Sequence, residues 1–317
     1  MKVLVFIPAY NEEKTVAGVV RQVPRQIGGV SQIDVLVLDD GSSDNTVNQA
    51  EQAGARVINN LKNCGLSFSF QRGAHEALSG RYDFMVSIDA DGQFNPGDIA
   101  KLIQPIVSGQ ADFATASRFK DSKLTPAMPM MKVFGNRMVA RLISFISHQK
   151  FYDVSCGFRA YSREALLNLN LFSKFTYTHE TFLNLIFKDL KIAEIPLAVR
   201  GEREYGESKI ARSLWRYGYN IANTIFRTML DYKPLKFFGW GGAILFVIGL
   251  ALDIFVGVHW LVTGMVSPFK TFGFVGLFFN LFGLLLVIVG LLADMINRVR
   301  LTQERILYYE KKRRFDG

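Results

Sequence analysis

Two apolar runs constrain this chain more than any other feature. Residues 237–262 and 272–293 each exceed the roughly 18 apolar residues that mark a helix able to cross a bilayer. Nine residues, 263–271, separate them and include Pro268 and Lys270. In hydrocarbon every backbone polar group must be satisfied within the segment, so the runs predict a transmembrane helical hairpin. Lys233 and Lys236 precede the first run, while Arg298, Arg300, Arg305 and the basic stretch Lys311 to Arg314 follow the second. The positive-inside rule then puts both ends of the hairpin in the cytoplasm. Asp253 and His259 fall inside the first run, where charge is costly, so a partner or an outer-leaflet position is expected. Counting from Phe237, Asp253 lies about 24 Å along at 1.5 Å per residue, which suits helix packing or an oligomer contact better than catalysis.

The start of the chain, Met-Lys-Val-Leu-Val-Phe-Ile-Pro, has too short an apolar run for a signal peptide. The N-terminal part is therefore expected to remain cytoplasmic. Within it, residues 3–7 and 34–38 read as buried strands, with a helical pattern between them that begins near Glu12. Strand, helix and strand imply an α/β fold with a mostly parallel sheet. The net charge of +9 suits an anionic partner or a membrane surface, and nothing points to nucleic acid. Two cysteines, Cys64 and Cys156, are too few for a disulfide framework or a zinc site and fit a reduced compartment.

Three acidic loops fall on one edge of the expected sheet. The first strand runs into Pro8-Ala9-Tyr10-Asn11-Glu12-Glu13, and the second into Asp39-Asp40-Gly41-Ser42-Ser43-Asp44-Asn45-Thr46. A third run, Val86-Ser87-Ile88, delivers Asp89-Ala90-Asp91-Gly92-Gln93. Open α/β sheets bind ligands at the carboxyl ends of their strands. Carboxylates there can accept from ribose hydroxyls or base nitrogens. Asp89 and Asp91 offer hard oxygens to Mg²⁺ or Mn²⁺, whose shell waters and substrate phosphates would complete.

Pro-Ala-Tyr-Asn-Glu-Glu at 8–13, the Asp-Asp-Gly-Ser segment at 39–46, Asp-Ala-Asp-Gly-Gln at 89–93 and Ser-Arg-Phe at 117–119 occur in a set order. Asp-Val-Ser-Cys-Gly-Phe-Arg-Ala at 153–160 and Arg-Glu-Tyr-Gly-Glu-Ser-Lys at 203–209 continue it. Over about 210 residues this pattern resembles the inverting GT-A glycosyltransferases that load a sugar onto a polyprenyl phosphate, such as the dolichol-phosphate mannose synthases and bacterial relatives. The resemblance implies that Pro8, Tyr10 and Glu12 hold the nucleotide base of a UDP- or GDP-sugar, with Val37 and Asp39 beside base and ribose. Asp89, Asp91 and Gln93 would hold the metal, Ala90 would lie against the donor, and Arg118, Arg203 and Lys209 would neutralise phosphates. Asp153 and Asp91 are the implied catalytic residues. Asp153 acts as a base for residual monoanionic acceptor, or else orients Arg159 or the acceptor.

Some segments depart from that pattern or lie outside it. Asn63-Cys64-Gly65-Leu66 stands where relatives often carry a glycine-rich or basic turn, so no donor contact is expected there. A Gln-x-x-Arg-Trp segment is missing, with Leu214-Trp215-Arg216 the nearest echo, which argues against a chain-extending polymerase. Met128, Met130 and Met131 follow Pro126 and lead into a helix that either rests on lipid, closes over the acceptor or packs as core. Glu180 sits near the acceptor or caps a helix; His75, His148 and His259 have no metal-ligand spacing. The expected organisation is a GT-A domain over residues 1–212, amphipathic interfacial helices over 213–236, two spanning helices over 237–293 and a basic tail over 294–317. The expected role is a multi-pass plasma-membrane enzyme acting at the cytoplasmic face on undecaprenyl or dolichyl phosphate. The resemblance also implies a homo-oligomer, a tetramer. The competing roles are transfer to another lipid such as diacylglycerol, or a non-catalytic scaffold.

Overall fold

The computed structural model describes residues 1–171, 177–201, 223, 226, 230 and 232–316. Arg203, Lys209 and most of the expected interfacial segment 213–236 lie outside these residues. The chain forms two compact units, residues 1–224 with 308–317, and residues 225–307.

The first unit is built on a seven-stranded sheet. In chain order its elements are β1 (Lys2–Ala9), α1 (Val16–Gln22), β2 (Gln32–Asp39), α2 (Thr46–Gln52), β3 (Arg56–Asn59), α3 (Leu66–Ser79) and β4 (Phe84–Ser87). Then come α4 (Ile99–Val107), β5 (Phe113–Ser117), α5 (Met130–Ser147), β6 (Arg159–Ser162), α6 (Arg163–Asn168), α7 (Thr178–Phe187) and β7 (Ile192–Pro196). The strand order is β3-β2-β1-β4-β6-β5-β7. Among the described strands only β6 runs antiparallel to its neighbours, β4 and β5. The first two strands are longer than their apolar runs suggest because pairing continues to the loops: Ala9 lies opposite Asp39.

Alternation along β1 sends residues to two cores. Val3, Val5 and Ile7 pack with Val16, Val20, Leu102 and Ile103 from the helices on one face. On the other, Phe6 meets Phe70 edge-on, and Phe70 stacks on Tyr177 with ring centroids 4.1 Å apart. Gly73 of α3 lets that helix lie on β1, since a Cβ there would stand 2.4 Å from the Phe6 ring.

The second unit contains α8 (Pro234–Thr263) and the greater part of α9 (Lys270–Asp316). Both helices are long and apolar enough to cross a membrane, and only 17% of each apolar window is buried within the protein. Beyond Pro234, their buried positions recur every seven residues: Gly242, Gly249 and Val256 on α8, and Gly276, Gly283, Gly290, Asn297 and Glu304 on α9. A Cβ on Gly242 would stand 2.5 Å from the Gly283 carbonyl oxygen, and one on Gly249 would stand 2.6 Å from that of Gly276. Such close backbone approach is how small residues pack helices where no hydrophobic drive exists between them. Asp253 has the partner its position demanded: Asn280 Nδ2 donates to its carboxylate at 2.6 Å.

α9 continues beyond the apolar run without a break, and its last turns belong to the first unit. Arg163 Nη2 donates to Asp316 Oδ1 at 2.6 Å, and Lys311 Nζ donates to the carbonyl of Leu169. Filling the α3 contact should be costly. Gly73→Ala is expected to destabilise the first unit by roughly 1–3 kcal/mol, as overpacking does, and thermal unfolding of the purified chain with and without the change measures it.

Candidate active site

The strand order reverses beside β1, so β1 is flanked by β2 and β4. Their carboxyl ends lie about 10 Å apart at two strand spacings. Asp39 ends β2, and Asp89 follows β4 after Ile88. This is the crevice where doubly wound sheets take ligands.

The first two loops are zipped together before any ligand arrives. Asp39, fully buried, accepts from the backbone of Gly41 and Ser42 and from the Ser42 hydroxyl. Across the gap, Asn11 N donates to Ser42 Oγ at 2.8 Å, Ser43 N to Asn11 Oδ1 at 2.8 Å, and Glu12 N to Thr46 Oγ1 at 2.8 Å. Pro8, Tyr10 and Glu12 are half-buried along this seam. Val37 is fully buried in the β2 core, backbone included, and presents no surface to the crevice.

The Asp89 loop turns at Gly92, whose φ is +72°. Asp91 is 2% exposed and its Oδ1 accepts from Gln93 N at 3.1 Å, while Ala90 is buried beneath them. Gln93 spends its amide nitrogen on the Arg200 carbonyl, which leaves its amide oxygen as the group a cation would use. Among the described residues no three His, Cys, Asp or Glu side chains converge as a metal cluster. Two carboxylates with an amide oxygen are nevertheless the hard, incomplete donor set that Mg²⁺ or Mn²⁺ accepts when phosphate oxygens and water supply the rest. Gly157 leaves Asp89 room to serve, since a Cβ there would stand 2.7 Å from Asp89 Oδ2. The residues fit such an ion.

Gly157 also brings the 153–159 loop onto the crevice. Its first residue, Asp153, is fully buried and holds Arg118 at two points, Nε at 2.6 Å and Nη2 at 2.9 Å, with Arg118 N at 3.1 Å. Ser155 Oγ accepts a further bond from Arg118 Nη2 at 2.8 Å. Burial pushes the Asp153 carboxyl up, but the Arg118 guanidinium and the N–H groups of Arg118 and Ser155 outweigh it and hold the group below the ordinary carboxylate range. Asp153 thus stays ionised as the anchor of Arg118, whereas Arg159 gives its three nitrogens to the carbonyls of Cys156, Thr178 and Val154. Burial, then Asp153, push the Cys156 thiol up to about 12, so it stays protonated. Burial, then Arg159, bring His179 down to about 3, so its imidazole is neutral.

Residues that motif reading passed over complete the support. Glu194 of β7 accepts from the backbone N–H of Tyr152 and, at 2.7 Å, from that of Asp153. A charged residue inside the apolar strand Ile-Ala-Glu-Ile was its only mark in the sequence. Tyr177 reaches Ser87 at the end of β4 with its hydroxyl, 3.2 Å away, and nothing in its local sequence marked it.

A sheet of this order with paired carboxylates at its switch point is the GT-A arrangement of a glycosyltransferase. The chain belongs to glycosyl transferase family 2, whose model matches residues 4–169. It is 29% identical to glycosyltransferase AglJ of Haloferax volcanii over 295 residues, 93% of each chain. It is 31% identical to the UDP-N-acetylglucosamine–dolichyl-phosphate N-acetylglucosaminyltransferase of Methanococcus voltae, over 62% of this chain and 84% of the relative. Against the undecaprenyl-phosphate 4-deoxy-4-formamido-L-arabinose transferase of Sodalis glossinidius, identity is 27% over 94% and 89%. Glucosyl-3-phosphoglycerate synthase from Mycobacterium tuberculosis, solved with Mn²⁺, UDP-glucose and phosphoglyceric acid, shares the fold at 22% identity with a TM-score of 0.56. That match covers 72% of this chain and 79% of the other.

Asp153→Asn should lower stability by about 3 kcal/mol at neutral pH, because the Arg118 guanidinium then keeps its charge but faces a neutral amide that accepts at only one of the two carboxylate positions. A carboxylate whose folded pKa is depressed stabilises above its unfolded pKa and loses that contribution as pH falls through the folded value. The gap between wild type and variant in thermal unfolding should therefore close only at acid pH. Asp91→Ala leaves the Gln93 N–H without its acceptor and should cost roughly 1–3 kcal/mol of stability; at a temperature where thermal unfolding shows the variant folded, isothermal titration with Mn²⁺ and a nucleoside diphosphate should show metal-dependent nucleotide binding lost.

Proposed function

We propose that this glycosyltransferase moves one sugar from a nucleotide diphosphate to a polyprenyl phosphate at the cytoplasmic face of a membrane, with inversion. The observation that carries the reading is the junction at Gly157, where the Asp153–Arg118 pair and the Asp89–Asp91 loop share one crevice. The activities for which the Methanococcus and Sodalis relatives are named support the acceptor class. Pro8, Tyr10, Glu12 and Asp39 take the base and ribose, while Asp89, Ala90 and Asp91 border the diphosphate.

A divalent ion held by Asp89, Asp91 and Gln93 would supply positive charge to the leaving diphosphate. Arg118, fixed by Asp153, adds a cation that needs no reorganisation during the reaction, and Arg203 and Lys209 are assigned the same task. One acceptor phosphate oxygen forms the new bond to the anomeric carbon as the bond to the diphosphate oxygen breaks on the opposite side. With a second pKa of about 6, the acceptor is largely dianionic at neutral pH and gives up no proton in the step. Asp153 therefore acts as the positioning residue for Arg118.

The membrane reading rests on α8, α9 and α5. Met130, Met131, Phe134, Met138, Leu142 and Phe145 form an exposed apolar stripe on α5, with Lys132, Arg137 and Arg141 beside them. A helix of that kind suits the headgroup layer. We assign residues 1–212 to the transferase domain, 213–236 to interfacial helices, 237–293 to the spanning pair and 294–317 to a cytoplasmic tail, in a homo-oligomer. Offered a panel of UDP- and GDP-sugars with undecaprenyl or dolichyl phosphate, the purified full chain should form one polyprenyl-phosphate sugar and release one nucleoside diphosphate per product. EDTA should abolish turnover. Product on diacylglycerol alone would move the acceptor to another lipid class.

A further inference from the structure

The exposed stripe on α5 sits in a stretch of chain with one sign of charge. From Ser122 to Tyr152 the sequence holds five cations, Lys123, Lys132, Arg137, Arg141 and Lys150, and no aspartate or glutamate. Within α5, Met130 is 87% and Phe145 79% exposed, while Ala140, Ile143 and Ile146 are buried. Phe134, Met138, Leu142 and Phe145 follow Met130 at helical spacing, and Arg137 and Arg141, both exposed, stand one turn apart beside that row. A contiguous row of large apolar side chains marks a surface that something covers. The helix also stands at the margin of the crevice. Asn136 Oδ1 accepts from Ser155 Oγ at 3.0 Å, the hydroxyl that accepts from Arg118, and the Arg137 guanidinium lies 5.9 Å from the centre of the Phe119 ring.

We propose that α5 is a docking surface for anionic phospholipid headgroups, which cover its stripe and hold the margin of the crevice against the bilayer. The inference rests on the membrane reading above and adds the class of lipid. Apolar side chains enter the boundary between headgroups and acyl chains while the arginines stay with the phosphates, as in amphipathic helices that lie in a membrane surface. Each cation near an anionic surface adds roughly fivefold to such partitioning. A second copy of the chain fits the stripe less well. Pairing like with like across a two-fold axis would set Arg137 and Arg141 against cations of the same stretch, with no acidic side chain from 122 to 152 to offset them.

The full chain reconstituted in vesicles tests this, with the exposed Cys64 changed to serine and a bimane label on Leu142→Cys. With lipid spin-labelled near the headgroup, the ratio of quenched to unquenched label should be at least about fivefold higher in phosphatidylcholine containing phosphatidylglycerol than in phosphatidylcholine alone. Arg141→Gln should cut that ratio roughly fivefold in the anionic vesicles. Salt at about 1 M, where the screening length falls to about 3 Å, should do the same. Equal quenching in the two lipids overturns the proposal, as does an unchanged ratio in Arg141→Gln. A label shielded from water yet not quenched by lipid overturns it too, because another protein surface then covers the stripe. The same label on Ile248→Cys, an exposed position of α8, reads the spans with lipid labelled deep in the acyl chain. Quenching there without quenching at position 142 removes the α5 dock and keeps the spans, whereas quenching at neither position removes the membrane reading itself.

Discussion

The site depends on a buried charge that no carboxylate among the described residues pairs with. Arg159 is fully buried, faces the rings of Phe113, Tyr177 and Phe182 at 5.1–5.8 Å, and donates to three carbonyls. A guanidinium is the one cation that can be used this way, because its fork delivers several donors in fixed directions and cannot shed its proton. Two of the carbonyls, those of Val154 and Cys156, belong to the loop that starts with Asp153, and the third belongs to Thr178 at the head of α7. The loop is therefore wound around one side chain. From that winding follow the placement of Gly157 against Asp89 and of the Asp153 carboxylate against Arg118.

Charge is layered outward from there. Glu194 grips the loop's backbone, Asp153 grips Arg118, and Arg118 stands 16% exposed by side chain at the crevice. Each buried carboxylate is satisfied by donors before substrate arrives, which is what lets a cation at the rim act on a ligand without first rearranging. Burial raises the Glu194 carboxyl even though two backbone amides favour its charged form. The Asp153 charge beside it adds to that rise, so the two carboxylates differ in ease of ionisation according to which one has the arginine.

Periodicity made β1, β2, α8 and the apolar part of α9 legible, since each is a run whose pattern has one reading. The placement of Asp39, Asp89 and Asp91 at strand ends was legible because turn chemistry at the end of an apolar strand is local. The rest was set by distance along the chain. Asp153 meets Arg118 across 35 residues and Glu194 across 41, contacts that depend on β6 running antiparallel between β4 and β5. Four short residues, Arg159–Ser162, gave no hint of that direction. The Met-rich stretch failed for another reason: soft apolar residues look alike in a core and on a surface, and only the packing of Ala140, Ile143 and Ile146 decides which side of α5 turns inward. The run 294–316 reads as a charged tail, yet helix continuity from the apolar part carries it onward to Asp316.

The seam of α8 against α9 divides the hairpin into surfaces with opposite freedom to change. Outward-facing positions need only be apolar, so Leu, Ile, Val and Phe can replace one another there at little cost. The glycines of the seam have no such latitude. At Gly242, Gly249, Gly276 and Gly283 a backbone atom of the other helix lies less than 3 Å from where a Cβ would sit, joined at Gly249 by the Asn280 side chain and at Gly276 by that of Asp253, and backbone cannot yield by changing rotamer. Drift in this region should therefore be fast in letters and slow in spacing, so that two hairpins with few identical residues can still share the same seven-residue rhythm of glycines.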